Sequence, residues 1–195
     1  AASPDFVSSD RAEFISESLA EYSALMVLKN RYGDAKMRRF LRHELDRYLA
    51  GRGTEQKVEQ PLLRADGAAY VHYQKGALVL YALQDAIGEA AMDDALSAFV
   101  ARWHFQGPPY ATSRDLVAEL RRVTPPGHQG LIEDFLETIT LFDDRAVSAA
   151  ARKRADGAYD VDVVVYAKKI RAVGAGGERE APMDALVDIG VQDAK

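Results

Sequence analysis

The sequence predicts a mainly α-helical protein with an antiparallel β segment at its C-terminal end, which is an α+β fold. Apolar residues recur at helical spacing before Phe142, and after it they alternate with polar residues. An Asp156-Gly157 pair separates two alternating runs and is a strong hairpin signal. We therefore expect a helical part at residues 1–142 and a β-strand segment at residues 143–195.

Residues that start or stop helices bound each predicted helix. Asp10 and Glu13 have the spacing of a capping box, which opens the first helix, and Gly33 is placed to end it. Thr112 and Asp115 repeat the capping pattern ahead of the fifth helix. The predicted helices after the first are, in order, 34–50, 71–88, 89–103, 113–123 and 128–140.

Two stretches of the chain read as loops. Gly51 and Gly53 are expected to end the second helix, and residues 51–69 are rich in turn-forming residues. Residues 104–111 hold Gly107 and two consecutive prolines, so a second loop is expected there.

The β segment is expected to hold two or three strands. Its clearest run places Tyr159, Val161, Val163, Val165 and Ala167 on one face, with Asp160, Asp162, Val164 and Tyr166 on the other. A further strand is expected near 185–192, after a glycine-rich turn. Because two or three strands are marginal alone, we expect the sheet to continue in further polypeptide.

Composition excludes several classes of function. The formal net charge of −5 argues against a nucleic-acid partner, which would require a basic excess. The absence of cysteine excludes disulfides, thiolate metal sites and cysteine nucleophiles. No stretch approaches the roughly 18 consecutive apolar residues that a membrane span needs.

Glu17 occupies an unusual position on the first helix. At about 100° per residue it lies on an apolar side of the helix, between Ala24 and Leu28. A buried carboxylate needs a cation, a metal or several hydrogen-bond donors. A salt bridge to Arg31 or Arg38 is one interpretation, and a metal ligand is the other.

Tyr73 lies in the segment that opens the third helix. From there its hydroxyl could donate to an oxyanion, although a core tyrosine with a satisfied hydroxyl is the alternative. Gly76 is expected to allow close helix packing. His43 begins a run similar to a zinc-binding helix, but the second histidine position is Arg47, so we interpret His43 as a surface residue.

Two segments resemble a known family. The run Ser16-Glu17-Ser18-Leu19-Ala20-Glu21-Tyr22 is similar to the Asn-Glu-Gly-Leu-Ala-x-Tyr segment of gluzincin aminopeptidases, the aminopeptidase N family. The run Tyr73-Gln74-Lys75-Gly76-Ala77 resembles the Tyr-x-Lys-Gly-Ala segment of that family. The resemblance is strongest to a bacterial subgroup whose peptidase-like domain is linked to ABC transporter permeases.

The resemblance implies a zinc-dependent metallopeptidase of the aminopeptidase type. Glu17 would be the third zinc ligand, and Tyr73 would stabilise the oxyanion of the reaction. The family's other two ligands and its general base lie in a His-Glu-x-x-His helix, expected before Ala1. The chain would then be the C-terminal half of a thermolysin-like catalytic domain followed by the start of a β-sandwich. Alone, it would hold zinc weakly and be inactive.

The resemblance also implies partners and a location. A peptide would be the substrate, and the rest of the polypeptide would complete the site. Transporter subunits are further expected partners, and the intact protein would be bacterial and membrane-associated. The alternative is a non-catalytic, peptidase-like scaffold of an ABC transporter system. Independently, an exposed sheet edge favours self-association into a homo-oligomer.

Overall fold

A computed structural model of the chain describes residues 13–55, 59–65, 67–173, 177–185, 187 and 189–191. Within these residues most of the chain is helical, and a three-stranded antiparallel sheet follows the helices. The chain divides into a helical unit that ends at Ile139 and a strand unit that begins at Thr140. The predicted α+β class, mainly helical with a C-terminal antiparallel segment, is confirmed.

Six α-helices and three π-helical turns make up most of the described helical unit. The α-helices are α1 (Leu19–Tyr32), α2 (Asp34–Thr54), α3 (Gly76–Ile87), α4 (Glu89–Trp103), α5 (Ser113–Val123) and α6 (Gln129–Ile132). The π-helical turns are Phe14–Ser18 before α1, Tyr70–Lys75 before α3 and Glu133–Glu137 after α6. None of the described helices is both long and apolar enough to cross a membrane.

Most helix ends lie where the sequence predicts them. Gly33 follows α1 with a φ of 77°, a conformation that glycine adopts without strain. The capping box of α5 is confirmed, because the Thr112 amide and hydroxyl both donate to the Asp115 carboxylate, at 2.8 and 2.7 Å. The predicted cap at Asp10 lies outside the described residues.

The predicted end of α2 at Gly51 and Gly53 is wrong, because the helix continues through both glycines to Thr54. Gly51 has a packing role instead. A Cβ atom there would lie 2.6 Å from Cγ of Tyr70, so only glycine lets α2 approach the turn before α3. This close packing offsets the roughly 1 kcal/mol that a glycine costs inside a helix.

The helical unit buries one main apolar core and a smaller one. The main core holds Phe14, Leu80, Leu116 and Ile132, all fully buried. Each of the six α-helices contributes residues to it, and so does the segment that precedes Tyr70. Leu25, Met37 and Ala77 form the smaller core between α1, α2 and α3. Close packing of these helices positions the turns that precede α1 and α3.

The strand unit is a sheet of order β1-β2-β3. Its strands are β1 (Thr140–Lys153), β2 (Tyr159–Val173) and β3 (Gly177–Ala181). The predicted Asp156-Gly157 hairpin is confirmed, with Gly157 at a φ of 89° and the Asp156 carboxylate accepting from the Ala158 amide. Val161, Val163 and Val165 line one surface groove, as expected for residues on one face.

The third strand lies earlier than the sequence analysis predicts. It spans Gly177–Ala181 and pairs antiparallel with Lys169–Val173, whereas no strand includes the described residues among 185–192. Three residues separate the end of β2 from the start of β3, a spacing that is sufficient for neighbouring antiparallel strands.

Candidate functional site

Glu17 and Tyr73 both lie in π-helical turns, at the points where α1 and α3 begin. A π-helical turn is wider than an α-helical one, occurs rarely, and is found frequently at functional sites. The two turns contact each other directly. The Ser18 hydroxyl, which is fully buried, donates to the His72 carbonyl over 2.5 Å and so ties the first turn to the second.

Gly76 lets the two turns approach this closely, as the sequence analysis expects. A Cβ atom at Gly76 would overlap the Ser18 hydroxyl and lie 2.6 Å from the Ser18 Cβ. Rotating the serine side chain would relieve only part of the overlap and would break its bond to His72. The Ser18–Gly76 contact therefore sets the separation between the two turns.

Replacing Gly76 with alanine is expected to destabilise the helical unit by about 1–3 kcal/mol, because overpacked side chains must move apart. Gly53→Ala is the matched control, since Gly53 also lies in a helix but has no atom within 4 Å of the added Cβ. That control is expected to gain up to about 1 kcal/mol from helix propensity. Urea unfolding followed by circular dichroism measures both; equal effects would contradict the packing role.

The structure brings Glu17 and Tyr73 together. The Tyr73 hydroxyl lies close enough to the Glu17 carboxylate for each group to shift the pKa of the other, and the Ser16 hydroxyl donates to Glu17 Oε1 over 3.1 Å. The interaction with Tyr73 lowers the pKa of Glu17, with a smaller contribution from Ser16. The same interaction raises the pKa of Tyr73. At neutral pH the pair is therefore a carboxylate beside a protonated phenol.

The expected burial of Glu17 is wrong, since its side chain is only partly covered. The buried face of the helix instead carries Phe14, Ser18, Tyr22 and Leu25, and Glu17 lies at the border of that face. The salt-bridge interpretation also lacks support, because no arginine is among the groups that shift the pKa of Glu17. Tyr73 is half-buried, so it is not a core tyrosine.

His72 adds a positive group next to this pair when it is protonated. Its buried ring meets the Tyr73 ring edge-on with 4.7 Å between centroids. Nδ1 of His72 lies 3.1 Å from Oε2 of Glu13, but outside hydrogen-bond geometry, so the contact is electrostatic. The Glu13 carboxylate also accepts from the Gly67 amide at 2.9 Å. Sequence reasoning assigned Glu13 only to a cap and missed this contact.

A second carboxylate, Glu44 on α2, is buried close to the site. Its side chain is 6 % exposed, and its Oε2 atom has no hydrogen-bond partner. Burial raises the pKa of Glu44, and the negative charge of Glu21 raises it further, against a hydrogen bond from Gln74. The sequence carried the signal, because Glu44 falls at helical spacing between the buried Met37 and Tyr48.

Replacing Glu44 with glutamine is expected to change how stability depends on pH. A carboxyl whose pKa is raised by folding stabilises the protein fully below its ordinary pKa of 4.5, and this contribution is lost as pH rises through the raised value. The stability of Glu44→Gln relative to the original chain should therefore increase from about pH 4 to about pH 8.

Thermal unfolding at several pH values measures this difference. Asp46→Asn is the matched control, because Asp46 lies on the same helix but is exposed, in a surface pair with Arg42. Its effect should stay within about 0.5 kcal/mol of zero. A stability difference for Glu44→Gln that does not change with pH would contradict the raised pKa.

A buried ion network supports the second turn. The Lys75 ammonium lies 2.7 Å from Glu59 Oε1, and the Arg52 guanidinium donates to Glu59 Oε2 over 2.8 Å. The Tyr48 hydroxyl donates to the same carboxylate at 3.1 Å. Burial alone would raise the pKa of Glu59, but the two cations outweigh burial and lower it. The network holds Lys75, and with it the turn that carries Tyr73, against α2.

Of the zinc ligands that the resemblance implies, the described residues include only Glu17. Among them there is no group of three histidine, aspartate or glutamate side chains arranged to hold a metal. Glu17 fits a ligand position, because its carboxylate is ionised, partly exposed and close to two hydroxyl groups. A catalytic zinc normally takes three protein ligands, so further polypeptide would have to complete the site.

Comparison with known proteins identifies no relative. No protein-family model, no curated protein and no solved structure matches this chain. The geometry around Glu17 and Tyr73 and the two motifs that contain them are therefore what points to a function.

Proposed function

We propose that this chain is part of a zinc-dependent metallopeptidase of the aminopeptidase type. Its contribution is one zinc ligand, Glu17, and one donor to the substrate oxyanion, Tyr73. The observation that carries the proposal is the proximity of these two side chains, which come from turns far apart in the sequence and shift each other's pKa in opposite directions. Both motifs with family resemblance thus contribute to the same small region.

The protonation states of the two groups suit these roles. A metal ligand must be ionised, and the interaction with Tyr73 lowers the pKa of Glu17. An oxyanion donor must keep its proton, and the raised pKa of Tyr73 ensures this at neutral pH. When bound, zinc would supply an activated water and polarise the scissile carbonyl.

The remaining residues of the site position these two groups. Ser18 and Gly76 hold the two turns in contact, and the Glu59 network fixes the second turn on α2. In this structure the Tyr73 hydroxyl lies beside Glu17, and in the proposed site it would donate to the substrate oxyanion. The proton stays on the phenol oxygen throughout, because the hydroxyl acts as a donor and not as an acid.

The finer parts of the proposal follow from the resemblance. The helical unit would be the C-terminal half of a thermolysin-like catalytic domain, and the strand unit would begin a β-sandwich. A His-Glu-x-x-His helix N-terminal to this chain would provide the other two ligands and the general base. Membrane association of the intact bacterial protein and contact with transporter subunits belong to the same proposal.

The proposal predicts a zinc-dependent peptidase activity of the intact protein. We expect about one zinc per molecule by atomic absorption and release of a chromophore from aminoacyl p-nitroanilides. Treatment with 1,10-phenanthroline should abolish the activity, and added zinc should restore it. The non-chelating isomer 1,7-phenanthroline is the control and should have no effect.

Two further outcomes are informative. The present chain alone should bind zinc only weakly, since one carboxylate does not make a zinc site. Stoichiometric, tight zinc binding by this chain would show that the ligand count is wrong. A folded intact protein that neither binds zinc nor cleaves any aminoacyl substrate would contradict the proposal and favour the non-catalytic scaffold.

A further inference from the structure

Strand β1 lies at one edge of the sheet, since the strand order is β1-β2-β3. It is 14 residues long, and its side chains are exposed from Asp144 to Lys153. Among the described residues only β2 pairs with it. A long exposed edge presents unpaired backbone N–H and C=O groups that can pair with another strand.

The acidic residues of β1 lie near its N-terminal end, where Arg145 follows them, and the charges at its C-terminal end are all basic. Asp143 and Asp144 lie near its N-terminal end, and Arg152 and Lys153 lie at its C-terminal end. The six residues at 146–151 are four alanines, one valine and one serine, all uncharged. Edges that avoid pairing usually carry charges or proline along the strand, and the centre of β1 carries neither.

Antiparallel pairing of β1 with a second copy of itself matches these charges. A two-fold axis reverses one strand against the other, so the acidic end of each copy lies opposite the basic end of its neighbour. One such register places Asp143 opposite Arg152 of the other copy. The two-fold axis repeats each contact, so this ion pair occurs twice in the dimer. Parallel pairing would instead place like charges together, which is unfavourable.

The irregularity in β1 is compatible with this register. The pairing between β1 and β2 shifts between Ala146 and Ser148, so Val147 forms a bulge, and its side chain is 63 % exposed. A bulge at one edge normally disrupts pairing. In this register the two-fold axis passes between Val147 and Ser148. The bulges of both copies therefore lie at the axis, and the paired segments on either side of the bulges are regular.

Pairs within the chain do not prevent this exchange. Asp143 accepts from Arg145 at 3.1 Å, and Arg152 lies 3.6 Å from Asp162. Both pairs are exposed to solvent, so each contributes little to stability and is easily rearranged.

We propose that the β1 edge is a self-complementary docking surface for a second copy of this chain, joining two three-stranded sheets into one sheet of six strands.

Sedimentation velocity of this chain over a range of concentrations tests the proposal. We expect a reversible, concentration-dependent dimer. The variant Asp143→Arg with Asp144→Arg places like charges opposite each other and should weaken dimerisation about tenfold or more. The variant Arg152→Asp with Lys153→Asp should have the same effect. An equimolar mixture of the two variants should recover dimerisation, because each then complements the other.

A matched control changes the opposite edge. Glu178→Arg with Glu180→Arg makes the same charge change on β3 and should leave dimerisation unaltered. A monomer at all concentrations, a dimer insensitive to the β1 changes, or a mixture that fails to recover would each overturn the proposal. If circular dichroism shows that a double variant is unfolded, Asp144→Lys and Lys153→Glu provide the same mixing test. The result does not depend on the proposed peptidase function.

Discussion

Replacing Tyr73 with phenylalanine is expected to lower kcat for peptide hydrolysis by about 10²–10³-fold in the intact protein, with little change in KM. The hydroxyl interacts with the substrate oxygen most strongly when that oxygen carries negative charge, which develops in the transition state. Removing a contact of this kind slows the chemical step but leaves ground-state binding nearly unchanged. Steady-state kinetics on an aminoacyl p-nitroanilide separate the two parameters.

The geometry explains why phenylalanine is the informative substitution. The Tyr73 ring packs against His72 and is half-buried, and phenylalanine keeps this packing. The substitution also removes the hydroxyl that most strongly lowers the pKa of Glu17, so zinc content must be measured on the same preparation. A lower kcat with full zinc occupancy assigns the effect to the missing oxyanion donor.

Tyr70→Phe is the matched control for this experiment. Tyr70 belongs to the same π-helical turn, but its hydroxyl is buried and has no hydrogen-bond partner. Its removal should therefore leave kcat unchanged and should not reduce stability. Unchanged kcat in Tyr73→Phe would remove Tyr73 from the mechanism, and equal losses in both variants would show that disturbance of the turn is responsible.

Local sequence signals predict much of this fold. Helix ends with a capping box or a terminal glycine, such as Thr112 and Gly33, lie where expected because the interactions that form them are local. The hairpin at Gly157 follows from its turn residues in the same way. Gly51 shows the limit, since its contact is with Tyr70 on another segment and no local pattern reveals it.

The site residues show the same difference between local signals, which the sequence reveals, and long-range contacts, which it does not. The two motifs identify Glu17 and Tyr73, but apolar residues occur on both sides of the first helix, so the sequence does not show that the side carrying Glu17 and Ala24 is exposed or only partly covered. Glu59 lies in a stretch that reads as a loop, and only the folded chain brings it to Lys75. Long-range ion pairs of this kind have no signature in a single sequence.

Replacing Glu59 with glutamine is expected to destabilise the helical unit by about 3–5 kcal/mol, the largest stability effect that we predict. Lys75 and Glu59 are both buried, with side-chain exposures of 7 % and 6 %. Glutamine retains the shape of the side chain but removes its charge, which leaves the Lys75 ammonium buried without an anion. An uncompensated buried charge costs far more than a lost surface pair.

The double variant Glu59→Leu with Lys75→Met tests whether the loss arises from the unpaired charge. Two apolar residues of similar size remove both charges, so the double variant should be clearly more stable than Glu59→Gln alone. Asp46→Asn, which breaks the exposed pair with Arg42, provides the baseline and should change stability by less than about 0.5 kcal/mol. Urea unfolding of all three variants gives the comparison.

The pH dependence supplies an independent check of the same network. Because the two cations lower the pKa of Glu59, its contribution to stability is full above the ordinary value of 4.5 and is lost as pH falls through the lowered value. Below about pH 4.5 the original chain should therefore lose stability as Glu59 is protonated, and Glu59→Gln should not show this loss. If the variant and the original chain lose stability in parallel below about pH 4.5, the Glu59 carboxylate is not held ionised by Lys75 and Arg52. The turn that carries Tyr73 would then be fixed by packing contacts, among them Ser18–Gly76 and Gly51–Tyr70.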